Sequence, residues 1–320
     1  MADGDFRGVF VIAVTPFDEA GEIDEASLRA QVDFAIEAGV HGIVTPANAS
    51  EFYALLDEER RRVGHIVVEQ AAGRVPVVLT VNAPSTPALR VLASRAVDAG
   101  ADGLMLMPPV LRPPHEPELW RYFQAVSQAA ANARGGAGIP IIVQNCNKPF
   151  GQAMPVSFLA KLVDELPGIA YIKEEADPCT HLMTRVMEAV RDKARLKGVF
   201  GGQAGKYLMN EAARGACGTM PACDVPDAHV ALWNAIERGE QAEARKLYNR
   251  LLPLLTMEAL YPSVLYKQVL WRRGVIRHPG TRNPSHAPLD EVDRRELDAL
   301  LDEISDLLPV HGPFAKGAKA

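Results

Sequence analysis

Eight short apolar runs, separated by stretches of helical periodicity, limit what this 320-residue chain can fold into. They are GVFVIAVTP (8–16), GIVTPAN (42–48), PVVLTVNA (76–83), GLMLMPP (103–109), PIIVQN (140–145), IAYIKEE (169–175), KGVFGGQ (197–203) and GTMPA (218–222). Most are continuous rather than alternating, as expected of strands buried on both faces of a parallel sheet. Between them, Leu89, Leu92, Ala93, Ala96 and Val97 mark one helix face, opened by Ser85, Thr86 and Pro87 and closed by Gly100. Leu28, Val32, Ala35 and Ile36 mark another, closed by Gly39, and Asp57, Glu58 and Glu59 open the helix after the second run. AGVHGI (38–43), AGADGL (99–104) and RGACGT (214–219) repeat one junction, a helix ending on glycine with a strand restarting three residues later. Eight such units in ~250 residues describe an α/β fold, a (β/α)8 TIM barrel. The barrel is placed at 7–236, a helical extension of the same domain at 237–308, and a tail that has little to bury at 309–320.

Composition narrows the function. With 48% hydrophobic and 23% charged residues the chain reads as globular, and its net charge of −6 comes from interleaved acids and bases, so no basic face suggests nucleic acid. No apolar stretch approaches the ~20 residues of a membrane span, and MADGDFRG lacks the apolar core of a secretion signal. Cys146, Cys179, Cys217 and Cys223 form no C-x-x-C pair, which suits a reducing, cytoplasmic setting. His41, His65, His115, His181 and His229 show no ligand spacing, so no metal is expected. Met105, Met107, Trp120, Trp233 and Trp271 read as packing residues.

In such a barrel the chemistry sits at the C-terminal ends of the strands. Lys173 ends the sixth run, and alternation turns Tyr171, Lys173 and Glu175 to one face, with Ile172 and Glu174 on the other. Desolvation in a barrel mouth disfavours an ammonium and so favours the free amine that Schiff-base chemistry needs. An equally simple reading is a solvated strand end, with the lysine paired to a glutamate. The pattern alone does not separate the two. GGQAGK (201–206) lacks the four-residue spacing of a phosphate loop, and Tyr207 follows where a hydroxyl residue would be needed, so close approach at the barrel rim is its better reading.

VTPF (14–17), RVPVV (74–78), the P-I-I strand at 140, IKE (172–174) and GACGTM (215–220) together resemble the dihydrodipicolinate synthase and N-acetylneuraminate lyase family. The likeness covers residues 7 to 305. It implies class I aldolase-type (β/α)8 enzymes that join a 2-oxo acid to a lysine as an imine, and it matches Lys173 to that lysine. No cofactor is then needed beyond the covalent imine, and a homo-oligomer, tetramer or dimer, is implied.

The chain departs from the family pattern in three places. A hydroxyl-rich loop usually follows strand two, but here ANASE puts Asn48, Ala49 and Ser50 at its positions. The tyrosine usual on strand five is Gln144, and the tyrosine pair after strand four is replaced by PPVL (108–111). An amide does not ionise, so Gln144 can orient substrate or water but is a poor base. These departures argue against a synthase and resemble the L-2-keto-3-deoxyarabonate dehydratase branch, which implies loss of water from a 2-keto-3-deoxy sugar acid. Lys173, Gln144 and Ser50 are then the expected catalytic residues. Asn48, Ala49, Ser50, Gly202 and Met220 are the expected substrate-binding residues. The C3 proton is left to Lys173 through a water, or to Ser50.

Each of these residues also has a plainer reading. Gln144 could satisfy a buried backbone group, and Asn48 and Ser50 could cap the following helix. Two other functions stay open: a retro-aldolase releasing pyruvate from a related 2-keto acid through the same imine, and a sugar-acid-binding homologue without catalysis.

Overall fold

The computed structural model describes residues 5–109, 114–147, 151–282 and 287–314. Eight parallel strands close on themselves in chain order: β1 (Gly8–Ile12), β2 (Gly42–Thr45), β3 (Val77–Thr80), β4 (Gly103–Leu106), β5 (Ile141–Cys146), β6 (Ile169–Glu175), β7 (Gly198–Gly201) and β8 (Gly218–Thr219). β8 pairs with β1 through Gly8 opposite Gly218, so the sheet has no free edge and the expected barrel is formed. Helices α1 (Glu25–Glu37), α2 (Asp57–Ala71), α3 (Thr86–Asp98), α4 (Glu116–Ala131), α5 (Val156–Glu165), α6 (Cys179–Ala189), α7 (Leu208–Ala213) and α8 (Pro226–Glu237) follow the strands.

Local chemistry sets these boundaries. Asp24 and Ser85 cap α1 and α3 by accepting from Ser27 N and Ala88 N, and Gly39, Gly100 and Gly215 take positive φ at the repeated helix-to-strand junction. β1 stops at Ile12, short of the apolar run, because the Gln31 amide takes over the ladder: it accepts from Val14 N at 2.8 Å and donates to Val14 O at 3.1 Å. Alternation sends Phe10, Ile12, Val44, Val78, Met105, Ile142, Tyr171 and Phe200 into the barrel and their neighbours against the helices, giving an inner and an outer core.

The extension contributes α9 (Gln241–Glu258), α10 (Pro262–Arg272) and α11 (Glu291–Glu303). On α10 the fully buried Lys267 ties the extension to the turn after β2. The chain after Leu308, expected to fray, is held at least as far as Phe314: Gly312 N donates to Arg273 O and Phe314 N to Gly274 O. Residues 315–320 of that tail lie outside the described residues, as do Val110 and Leu111 of PPVL. No helix among the described residues is long and apolar enough to cross a membrane.

Candidate active site

β5 and β6 run in register, with Gln144 opposite Lys173, so both side chains enter the barrel mouth at one level. They line a cavity of about 360 Å³ together with Glu175, Asn48, Ala49, Met220 and residues of the extension. Lys173 is only 5% exposed, and its Nζ lies 3.2 Å from Glu175 Oε2. That oxygen also accepts from Gln144 Nε2 at 2.7 Å, while Oε1 accepts from Gln203 N at 2.9 Å. The carboxylate is thus fixed against the amine by two further donors. Gln144 satisfies no backbone group; its Oε1 is buried and has no hydrogen-bond partner among the described residues.

Lys173 does pair with a glutamate, but inside the barrel mouth and not at a solvated strand end. Glu174 points the other way, accepts from Asn145 Nδ2 at 2.9 and 3.0 Å, and is pushed by burial up to about 7 despite those bonds. Cys146 shares the cavity wall, where burial, then the Glu175 charge, push its thiol up to about 12 and keep it protonated.

The turn at Asn48–Ser50 puts Ala47, Asn48 and Ala49 on the cavity wall but turns Ser50 away. The Ser50 hydroxyl donates to Ala13 O and accepts from Ala47 N at 2.9 Å, and the residue is fully buried. Both bonding directions of the hydroxyl are thus used to close the turn, and it faces away from the cavity where its expected roles would place it. Gly202, expected to bind substrate, stands behind the cavity wall. A Cβ there would meet Glu175 Oε1 at 2.1 Å, and one at Gly201 would meet Glu211 Oε2 at 1.9 Å. The paired glycines of GGQAGK give two carboxyl groups room at the rim.

Sequence reasoning missed two acids and the partner of a third. Glu175 was placed on the face of Lys173 by alternation, yet its tie to Gln144 needed the register of two strands. Glu211, on α7, is buried against the paired glycines; burial, then the nearby Glu175 charge, push it up to about 8 against a backbone hydrogen bond from Gly202. Glu258, at the end of α9, lines the cavity from the extension, where helical periodicity marks packing but not what a helix end faces. Among the described residues no group of three His, Cys, Asp or Glu side chains could hold a metal.

Residues 5–304 match the Dihydrodipicolinate synthetase family. The chain is 31% identical over 309 residues to L-2-keto-3-deoxyarabonate dehydratase of Azospirillum brasilense, covering 94% of this chain and 96% of that one. It is 30% identical over 306 residues to 4-hydroxy-tetrahydrodipicolinate synthase of Methanothrix thermoacetophila, covering 94% and 98%. Among solved structures, the fold is shared with dihydrodipicolinate synthase of Aquifex aeolicus, with a TM-score of 0.84 at 24% identity over 95% of this chain and 99% of that one. YagE of Escherichia coli K12, solved with pyruvate, has a TM-score of 0.84 at 24% identity over 94% and 99%. With a family match over nearly its whole length and a lysine at the mouth of the matching barrel, the chain belongs to the dihydrodipicolinate synthetase family of lyases.

Proposed function

We propose that the protein dehydrates a 2-keto-3-deoxy sugar acid through an imine on Lys173, as the name of its Azospirillum relative describes for L-2-keto-3-deoxyarabonate. The observation that carries the reading is Glu175 held 3.2 Å from Lys173 Nζ by Gln144, at the strand position where the family pattern has an ionisable tyrosine. An amide and a carboxylate together do what neither does alone: Gln144 orients, and Glu175 moves the proton.

In this reading Lys173 attacks C2 of the 2-oxo acid and the C2 oxygen leaves as water, forming the protonated imine. Asn48 and Ala49 begin a turn whose first N–H groups lack helical acceptors, and they hold the substrate carboxylate. The imine draws electrons from C3, and Glu175 takes the C3 proton that the sequence alone left between Lys173 and Ser50. The resulting enamine expels the C4 hydroxyl, which leaves with a proton as water, and hydrolysis of the conjugated imine returns Lys173. For a five-carbon substrate the product relaxes to 2,5-dioxopentanoate.

Borohydride reduction in the presence of 2-keto-3-deoxy acid, with mass mapping of the modified peptide, tests the imine, and product identification tests the reaction. The expected result is an adduct on Lys173 and 2,5-dioxopentanoate. Release of pyruvate with an aldehyde would instead identify a retro-aldolase, and failure of every 2-oxo acid to give an adduct would favour a binding protein. Catalysis needs no cofactor beyond the imine in any of the enzymatic readings.

A further inference from the structure

The turn that follows β7 runs against the usual handedness of the chain. Gln203, Ala204 and Gly205 stand in succession at φ 49°, 59° and 79°, all in the left-handed region. Glycine enters that region freely, but two residues with side chains do so at a cost, and such a backbone persists only where its surroundings impose it. From the barrel side, Gln203 N donates to Glu175 Oε1 at 2.9 Å and Gln203 Nε2 to Glu175 O at 3.1 Å. From behind, the buried His229 of α8 brings Nε2 within 3.1 Å of Ala204 O, and a carbonyl oxygen only accepts. Its Nδ1 faces Val225 O at 3.1 Å, so the ring is held at both nitrogens. The turn packs directly on that ring: a Cβ at Gly205 would meet Nε2 at 3.3 Å.

These contacts form one line from α8 to the reacting groups. Gln203 and Ala204 line the cavity with Lys173 and Glu175, and His229 stands behind them. A turn released at Ala204 O relaxes toward right-handed backbone. That carries the Gln203 N–H away from Glu175 and loosens the carboxylate from its place 3.2 Å from Lys173 Nζ. We infer that His229 is a positioning residue: it locks the left-handed turn 203–205, and the turn sets Glu175 against Lys173 and the C3 of the substrate. The inference rests on the imine reading with Glu175 as the base. It makes α8 part of the proton transfer without any contact to substrate, and it gives the strain at the rim a function.

Pyruvate supplies a test that does not depend on which product the enzyme releases. Its imine loses a C3 proton to the base and regains one from solvent, so in heavy water its methyl protons exchange for deuterium. Proton NMR follows the exchange, and borohydride trapping reports the imine. His229→Leu should lower the exchange rate about tenfold or more, while the pyruvate concentration for half-maximal trapping stays within about threefold. His229→Gln keeps an N–H donor where Nε2 stands and should stay within about threefold of the unaltered rate. Adding Ala204→Gly to His229→Leu lets the turn stay left-handed without its lock and should raise the exchange rate again by about threefold or more. Lost packing alone would not give that recovery. His229→Met replaces the leucine variant should that one fail to trap pyruvate. An unchanged exchange rate in the apolar variant, an equal loss of trapping, or no recovery with Ala204→Gly overturns this inference alone. Exchange absent from an unaltered protein that still traps pyruvate overturns it together with Glu175 as the base. Absence of any adduct overturns it together with the imine reading.

Discussion

Glu175 has so little room at the rim that its neighbour must be glycine. An alanine at 202 would place Cβ 2.1 Å from Glu175 Oε1, so the carboxylate must shift from its place beside Lys173. A displacement near 1 Å in a reacting group can lower a rate by about a hundredfold, and Gly202→Ala should lower kcat by at least tenfold while Lys173 still traps pyruvate. Removing the proposed base outright goes further: on the dehydratase reading Glu175→Gln should lower kcat by about 10²–10⁴, again with the pyruvate adduct retained, as steady-state rates beside borohydride trapping would show. Loss of trapping in Glu175→Gln would instead make the carboxylate necessary for imine formation. The positions of Lys173 and Gln144 in the barrel mouth were legible in the sequence because each lies near the C-terminal end of a recognisable strand. The direction of Ser50 was not legible, because a small hydroxyl residue in a turn serves its own backbone as readily as a ligand, and residue type does not say which way it faces.

At the scale of elements, the turn that presents Asn48 and Ala49 is held from the far side by α10. Lys267 Nζ, fully buried, lies 2.5 Å from Glu51 Oε1, donates to Gly280 O at 2.9 Å and sits 4.2 Å from the centre of the Phe17 ring. Arg282 N donates to Glu51 Oε2 at 2.8 Å, and the Arg282 guanidinium pairs with Glu59 at the start of α2. Burial, outweighing the Glu51 charge, pulls Lys267 down to about 8, so the pair is still charged at neutral pH. Lys267→Met would leave the buried carboxylate of Glu51 short of its cation, a loss of about 3–5 kcal/mol. In a chain of this size that lowers Tm by on the order of 10 °C. Adding Glu51→Gln removes the stranded charge and should recover part of the loss in thermal melts; no recovery would mean that Lys267 acts through packing alone. The strands were readable because a parallel barrel writes each as a continuous apolar run. The link between 51 and 267 was not, because a lysine and a glutamate 216 residues apart carry no mark of their pairing.

The whole molecule carries a cluster of buried acids around the mouth of the barrel. Burial pushes Glu174 up to about 7 and Glu211 up to about 8, and it raises Asp224 and Glu258 as well. Glu174 and Glu211 keep a proton in the folded state at a pH where the unfolded chain has already released it. Between the ordinary glutamate value of 4.5 and about 8, the folded protein therefore binds more protons through Glu211, and stability falls as pH rises through that window. Below 4.5 the group is protonated in both states and adds no pH dependence, and above 8 the full penalty of a buried charge is reached. Glu211→Gln replaces the acid with a neutral group of the same shape and removes this contribution from both ends of the scale. The fall in Tm from pH 6 to pH 9 should accordingly be smaller in the variant than in the unaltered protein, by about 1.5 °C for each kcal/mol of charge burial avoided. Differential scanning at the two pH values measures the difference directly. An equal fall in both proteins would mean that Glu211 ionises freely in the folded state, and the buried acids would then have to be re-examined as a set of solvated carboxylates.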